Sequence, residues 1–331
     1  MALATNGDRG TLSPESSSRT VTADACDAHI HIFNSRFTER VAADDMSSTP
    51  ATVADYRAVQ QRIGTGRVVI VTPRNYDTDN SVTVDAIRLI GLGRARGVAV
   101  VRPTVSEAEL EALHEGGIRG IRFTLYTPDK APTNFDMVEP LSHRVHELGW
   151  HVQLHWTAEQ IVAHEPMLRR LPTAIVFDHL ARLPLPAALA HPACAVISRL
   201  LENGRTWIKL SAPYLDSVVG ERGQFADVDH IARHWVRVAP QRVVWGSDWP
   251  HTSETRKPDD SSLILKLDSW ADDVSTRSRI LVSNPAQLYG FEPCQKCNGK
   301  CPRFEWHHGE QRHCLLQHLL NPRVTDDVLH R

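Results

Sequence analysis

Residues 24–33 read DACDAHIHIF, a short run that interleaves apolar residues with carboxylates and two histidines. Side chains on a strand repeat every second residue, so His29 and His31 share one face. Seven further short runs follow along the chain: RVVIVTP (67–73), GVAVVRP (97–103), GIRGIRFTL (117–125), HVQLHW (151–156), AIVFDHL (174–180), TWIKLSA (206–212) and RVVWGSDW (242–249). Several are near-continuous apolar runs, as parallel strands covered on both faces require. Helical spacing lies between them. Ser106 followed by Glu109 is a capping-box pattern ahead of Leu110 and Leu113. Val228, Ile231, Trp235 and Val238 predict one apolar stripe on a helix over 227–239. Gly97, Gly117 and Gly149 stand just before strands, where a left-handed, helix-ending residue belongs. This repeated alternation predicts an α/β protein of the TIM type, a (β/α)8 barrel, ahead of a doubly wound open sheet. No glycine-rich dinucleotide or Walker motif follows any of the runs, which weakens the nucleotide-binding alternative.

The chain has 331 residues, with 37 basic and 39 acidic side chains and a formal charge of -2. That balance gives no electrostatic reason to expect nucleic acid or an anionic membrane as partner. No apolar run approaches the roughly 18–20 residues of a spanning helix. The polar, Ser/Thr-rich segment 1–22 lacks a secretory apolar stretch and is expected to be disordered, and the chain is expected to be cytoplasmic. The barrel is expected over 23–290, with 34–54 as an active-site loop. Cys294, Cys297, Cys301 and Cys314, with His307, His308 and His313, make 291–331 a Cys/His-rich C-terminal extension. A closed zinc site would suit its CxxC, but the spacing lacks a regular second ligand pair, and the segment is expected to stand apart from the barrel's chemistry.

In a barrel, reactive groups collect at the C-terminal ends of the strands. By that rule His29, His31, His155, His179 and Asp248 converge on one opening. A lone histidine in a strand is commonly a hydrogen-bonded core residue, so the convergence carries the reading. Asp248 lies between Trp245 and Trp249, where a carboxylate is costly unless paired, ligated or used for proton transfer. Imidazoles and a carboxylate around one mouth suit a Zn²⁺-type ion. Arg122, inside an otherwise apolar run, is either half of an internal salt bridge or a fork for an anion; Arg182 and Lys209 are weaker candidates. Tyr214, Tyr126 and His251 fall on loops after the seventh, fourth and eighth runs and could line the pocket.

DAHIHIF, HVQLHW, FDHLAR and WGSDWPH, in that order and joined by IRGIRF and the closing NPAQLYGF, resemble the amidohydrolase superfamily over residues 24–290. The similarity is to its lactone hydrolases of the pyrone and muconolactone type, 4-sulfomuconolactone hydrolases among them. Two-metal members bridge their ions with a lysine or glutamate at the end of the fourth strand. Arg122 and Phe123 stand there, so the resemblance implies one divalent ion or none. His155 favours one ion, zinc, held by His29, His31, His155 and Asp248, with His179 facing the substrate; the roles of His155 and His179 could exchange. Asp248 would act as general base and then general acid on a lactone, His179 or the ion would stabilise the oxyanion, and metal-free activation of water by Asp248 stays open. Arg122, Arg182, Tyr214 and His251 would bind a small anionic substrate from aromatic-compound catabolism. One departure bears on that substrate: after the seventh strand the chain reads APYLDS (212–217), where related chains carry an arginine. The alternatives are an amidohydrolase-fold decarboxylase and a non-catalytic metal-binding protein acting through its tail. A homo-oligomer is compatible with all three.

Overall fold

The computed structural model describes residues 22–37 and 50–292. The expectations for 1–21, for 38–49 of the predicted loop and for the Cys/His segment from 293 onward lie outside the described residues.

Eight parallel strands are paired in sequence order, β1 to β8. They are β1 (Thr22–Ile30), β2 (Thr65–Val71), β3 (Ala95–Ala99), β4 (Ile118–Thr124), β5 (His151–His155), β6 (Ile175–Phe177), β7 (Thr206–Leu210) and β8 (Val243–Trp245). Each falls within or within two residues of a run read from the sequence, because burial on both faces demands the continuous apolar character seen there. All seven residues of β2 are buried. Parallel bonding between Ile30 and Trp249 brings the last strand back to the first, so the sheet nearly closes into a barrel. Among the described residues no helix is long and apolar enough to cross a membrane.

Local signals set the helices. In α1 (Val53–Ile63) Thr52 and Asp55 form a reciprocal capping box, and Gly64 ends the helix at φ 74°. Helix α2 spans Ser81–Ile90, and α3 (Glu107–Glu115) starts where Ser106 accepts from the backbone of Glu109. The predicted 227–239 helix is Asp229–Val238; Val228, Ile231 and Trp235 are buried, but Val238 is 48% exposed and lies off the stripe. Gly117 and Gly149 have positive φ as expected. Gly97 does not. It sits inside β3, and a Cβ there would come 2.5 Å from Ile118 and 2.8 Å from Ile87, so its role is close packing. Phe291 belongs with the barrel: it is buried, with the guanidinium groups of Arg67 and Arg96 at 5.2 and 4.8 Å from its ring centroid.

Two apolar layers position the site. Cys26 and Ala28 pack with Val69, Val71, Val98, Val176 and Val244 inside the barrel. Ile30 instead joins Val68 and Ile70 in the layer beneath the helices. The inward alternation of β1 therefore breaks after Ala28, where the β1–β2 register shifts between Asp27 and Ile30. A bulge re-aims the side chains beyond it, and here it turns His29 and His31 into the barrel. Gly246 makes this join tight, since a Cβ on it would lie 2.7 Å from His29 Cβ and 2.8 Å from His29 N.

Candidate active site

Each functional side chain follows the apolar part of a strand. His29 is the next-to-last residue of β1 and His31 lies just past its end; Asp178 and His179 follow β6, Ser211 follows β7, and Asp248 follows β8. Strain accompanies them. Residues His179 to Arg182 all have φ between 50° and 63°, and Asp248 has φ 65°. Non-glycine residues in this region cost on the order of 1–2 kcal/mol each and persist where surrounding packing holds them.

His29, His31 and Asp248 come together. His29 Nε2 lies 3.3 Å from His31 Nε2 and 3.4 Å from Asp248 Oδ1, and His31 Nε2 lies 3.7 Å from the same oxygen. Donors about 2.1 Å from a tetrahedral ion stand about 3.4 Å apart, so this triangle fits one face of a zinc-type coordination shell. His31 Nδ1 donates to the carbonyl of Val71 at 2.8 Å, which leaves the Nε2 lone pair facing the site. His29 Nδ1 lies 3.3 Å from Asp178 Oδ1, a fully buried oxygen. Lys209 Nζ, at 3.2 Å, competes for that nitrogen; in the tautomer that ligation requires, His29 donates to Asp178. Burial, then Lys209, holds the His29 imidazole well below its ordinary pKa, and burial, then Arg122, takes His31 down to about 3. Neutral imidazoles are the form a metal binds. The residues present thus fit a divalent ion.

His155 stands outside this triangle, contrary to its expected place as third nitrogen ligand. Among the described residues, the two His/Asp groupings that could hold an ion are His29–His31–Asp248 and His29–Asp178–His179. His155 Nε2 instead accepts from Arg182 Nη1 at 2.9 Å, and its ring stacks on Tyr126. His179 is nearer the centre, with Nε2 4.0 Å from Asp248 Oδ1 and Nδ1 2.9 Å from Ser211 Oγ.

Asp248 is the most heavily supported member. Tyr214 donates to its Oδ2 at 2.6 Å and also lies 3.1 Å from His251 Nδ1; His251 Nε2 in turn meets Asp260 Oδ1 at 3.0 Å. Tyr214 and His251, expected to touch substrate, therefore brace the carboxylate. Burial raises the pKa of Asp248, while the hydrogen bond from Tyr214 opposes that rise.

The two arginines differ. Arg122 Nε donates to Asp178 Oδ2 at 2.9 Å, so the internal salt bridge exists. Its two terminal nitrogens make no hydrogen bond among the described residues and keep a fork available. Arg182 has its fork filled, with Nε and Nη2 donating to the two oxygens of Asp216 at 2.8 and 2.9 Å. Lys209 is fully buried and held by Ala28 O, Gln153 Oε1 and Asp178; burial lowers its pKa to about 8.

Asp178 is the principal residue the sequence reading passed over. Burial opposes its charge, but Arg122, His29 and Lys209 together hold its carboxyl well below the usual range. The signal was present, since a carboxylate in the apolar run AIVFDHL invites the same desolvation argument as Asp248. Ser211, Asp216 and Asp260 carry no comparable local signal.

Residues 26–291 match the model of the amidohydrolase family. The chain belongs to that family. Among curated amidohydrolase relatives, it is 34% identical over 277 residues to the 2-pyrone-4,6-dicarboxylate hydrolase of Comamonas testosteroni, spanning 81% of this chain and 90% of that one. It is 31% identical over 279 residues to the 4-sulfomuconolactone hydrolase of Rhizobium radiobacter, spanning 80% and 90%. A solved Agrobacterium tumefaciens structure in its ligand-free form superposes with TM-score 0.76 at 26% identity, covering 83% of this chain and 98% of that one. The expected superfamily and barrel thus hold, and lactone hydrolases stand among the relatives.

Proposed function

We propose that this amidohydrolase opens a small anionic lactone of the pyrone or muconolactone type, using one divalent ion, zinc, held by His29, His31 and Asp248. The carrying observation is Asp248 Oδ1 within 3.4 and 3.7 Å of the paired imidazoles while its Oδ2 is held by Tyr214. An ion bound there supplies Lewis-acid polarisation of water and of a carbonyl oxygen. Asp248 takes the proton as the water oxygen bonds to the carbonyl carbon. The ring C–O bond then breaks, and Asp248 returns the proton to the departing ring oxygen. Ser211 Oγ lies 2.9 Å from His179 Nδ1; in the tautomer in which Ser211 donates there, His179 carries hydrogen on Nε2, where it can meet the developing oxyanion. Arg122 anchors the substrate's anionic group by its two terminal nitrogens. Relatives that act on pyrone dicarboxylate and sulfomuconolactone support this substrate class.

Hydrolysis at neutral pH converts a lactone into a hydroxy acid that releases one proton, whereas isomerisation releases none and decarboxylation yields CO₂. A pH-stat assay over pyrone, muconolactone and sugar lactones should show one proton per lactone consumed. Asp248→Asn should lower the rate by about 10²–10⁴-fold, the usual worth of a general acid–base group. Release of CO₂, or proton-free conversion, would replace this reading.

A further inference from the structure

We infer that this site is built for a lactone bearing a single anionic group, because Asp216 has taken Arg182 out of substrate recognition. The inference rests on the lactone reading above and narrows its substrate class. A second anionic group on the substrate is matched best by a second cationic fork at the mouth. Arg122 offers one: its Nε is committed to Asp178, and both terminal nitrogens are available. Arg182 is the natural second, on the strained turn after β6, yet all three of its nitrogens already donate to protein acceptors. Its Nε and Nη2 grip both oxygens of Asp216, its Nη1 goes to His155, and the Tyr126 ring covers its plane at 4.1 Å. Both partners are largely withdrawn from water, with side-chain exposures of 7% and 16%. Asp216 follows the turn Pro213–Leu215 after β7, and its carboxylate occupies the Nε–Nη2 edge of Arg182. A second anion would have to displace it or lie against a like charge. Displacement would give up two charge-assisted hydrogen bonds.

The test pairs 2-pyrone-6-carboxylate with 2-pyrone-4,6-dicarboxylate, measuring turnover by proton release and binding by calorimetric titration. Wild type should favour the monoanion by about tenfold or more in kcat/KM, the effect of one unmatched charge pair. Asp216→Asn frees Arg182, so the dianion should gain about tenfold while the monoanion moves by less than about threefold. Adding Arg182→Gln to that variant should abolish the gain. Should Asp216→Asn fail to fold, the wild-type preference and its titration still decide. Wild type preferring the dianion, or Asp216→Asn changing both lactones alike, would overturn the inference and leave lactone hydrolysis standing. Absence of binding and turnover with both pyrones, joined by absence of turnover with muconolactones and sugar lactones, would instead remove the lactone reading itself.

Discussion

Asp248 donates its backbone N–H to the carbonyl oxygen of His29 at 2.9 Å, and His31 donates to Trp249 O at 2.8 Å. These bonds bring β8 against β1, so closure of the barrel and assembly of the candidate ligand triangle are one event. The two halves of the triangle lie more than two hundred positions apart in sequence. Neither half can hold an ion unless the sheet closes.

Gly246 controls that closure. An alanine methyl would press to 2.7–2.8 Å against the Cβ and backbone nitrogen of His29, and backbone cannot yield as a flexible side chain can. Gly246→Ala should cost about 1–3 kcal/mol, the usual penalty of overpacking. Urea unfolding reads the cost, and zinc uptake by the folded fraction should fall with it. Wild-type stability with full uptake would mean that the join tolerates a wider gap.

The ligand assignment separates the histidines. His29→Ala, His31→Ala and Asp248→Ala should each bind one zinc equivalent fewer than wild type, whereas His155→Ala should match wild type. Elemental analysis after loading and desalting gives the count. Loss of zinc in His155→Ala would restore that residue to the ligand set and displace the triangle seen here.

Tyr214 acts on the pH dependence. Its hydroxyl donates to Asp248 and favours the ionised carboxylate, against the burial that raises the pKa. Tyr214→Phe removes that support, so Asp248 protonates at higher pH and the acid limb of kcat/KM should move upward. A hydrogen bond to a charged group is worth about 1.5–3 kcal/mol, which corresponds to about one to two pH units. The limb moving downward or staying fixed would assign it to another group.

The barrel was legible in the chain because strands covered on both faces must be apolar throughout, a property written locally in all eight runs. His29, His31, His179 and Asp248 were legible too, since polar groups ending apolar strands stand out against their neighbours. Partnerships were not. Nothing near Arg182 says that its fork meets Asp216, thirty-four residues away, and nothing near Tyr214 says that it braces Asp248. Nothing near His155 says that its Nε2 meets Arg182, which sets it apart from the His29–His31–Asp248 group.

The sequence by itself determined that His29 and His31 point the same way, because the strand period is two residues. It did not determine which way. Continued from Cys26 and Ala28, the alternation would send both rings outward under the helices. The bulge between Asp27 and Ile30, imposed by pairing with β2, reverses that sense and delivers them to the mouth. Pairing between distant segments is a tertiary property, and so is the site that depends on it.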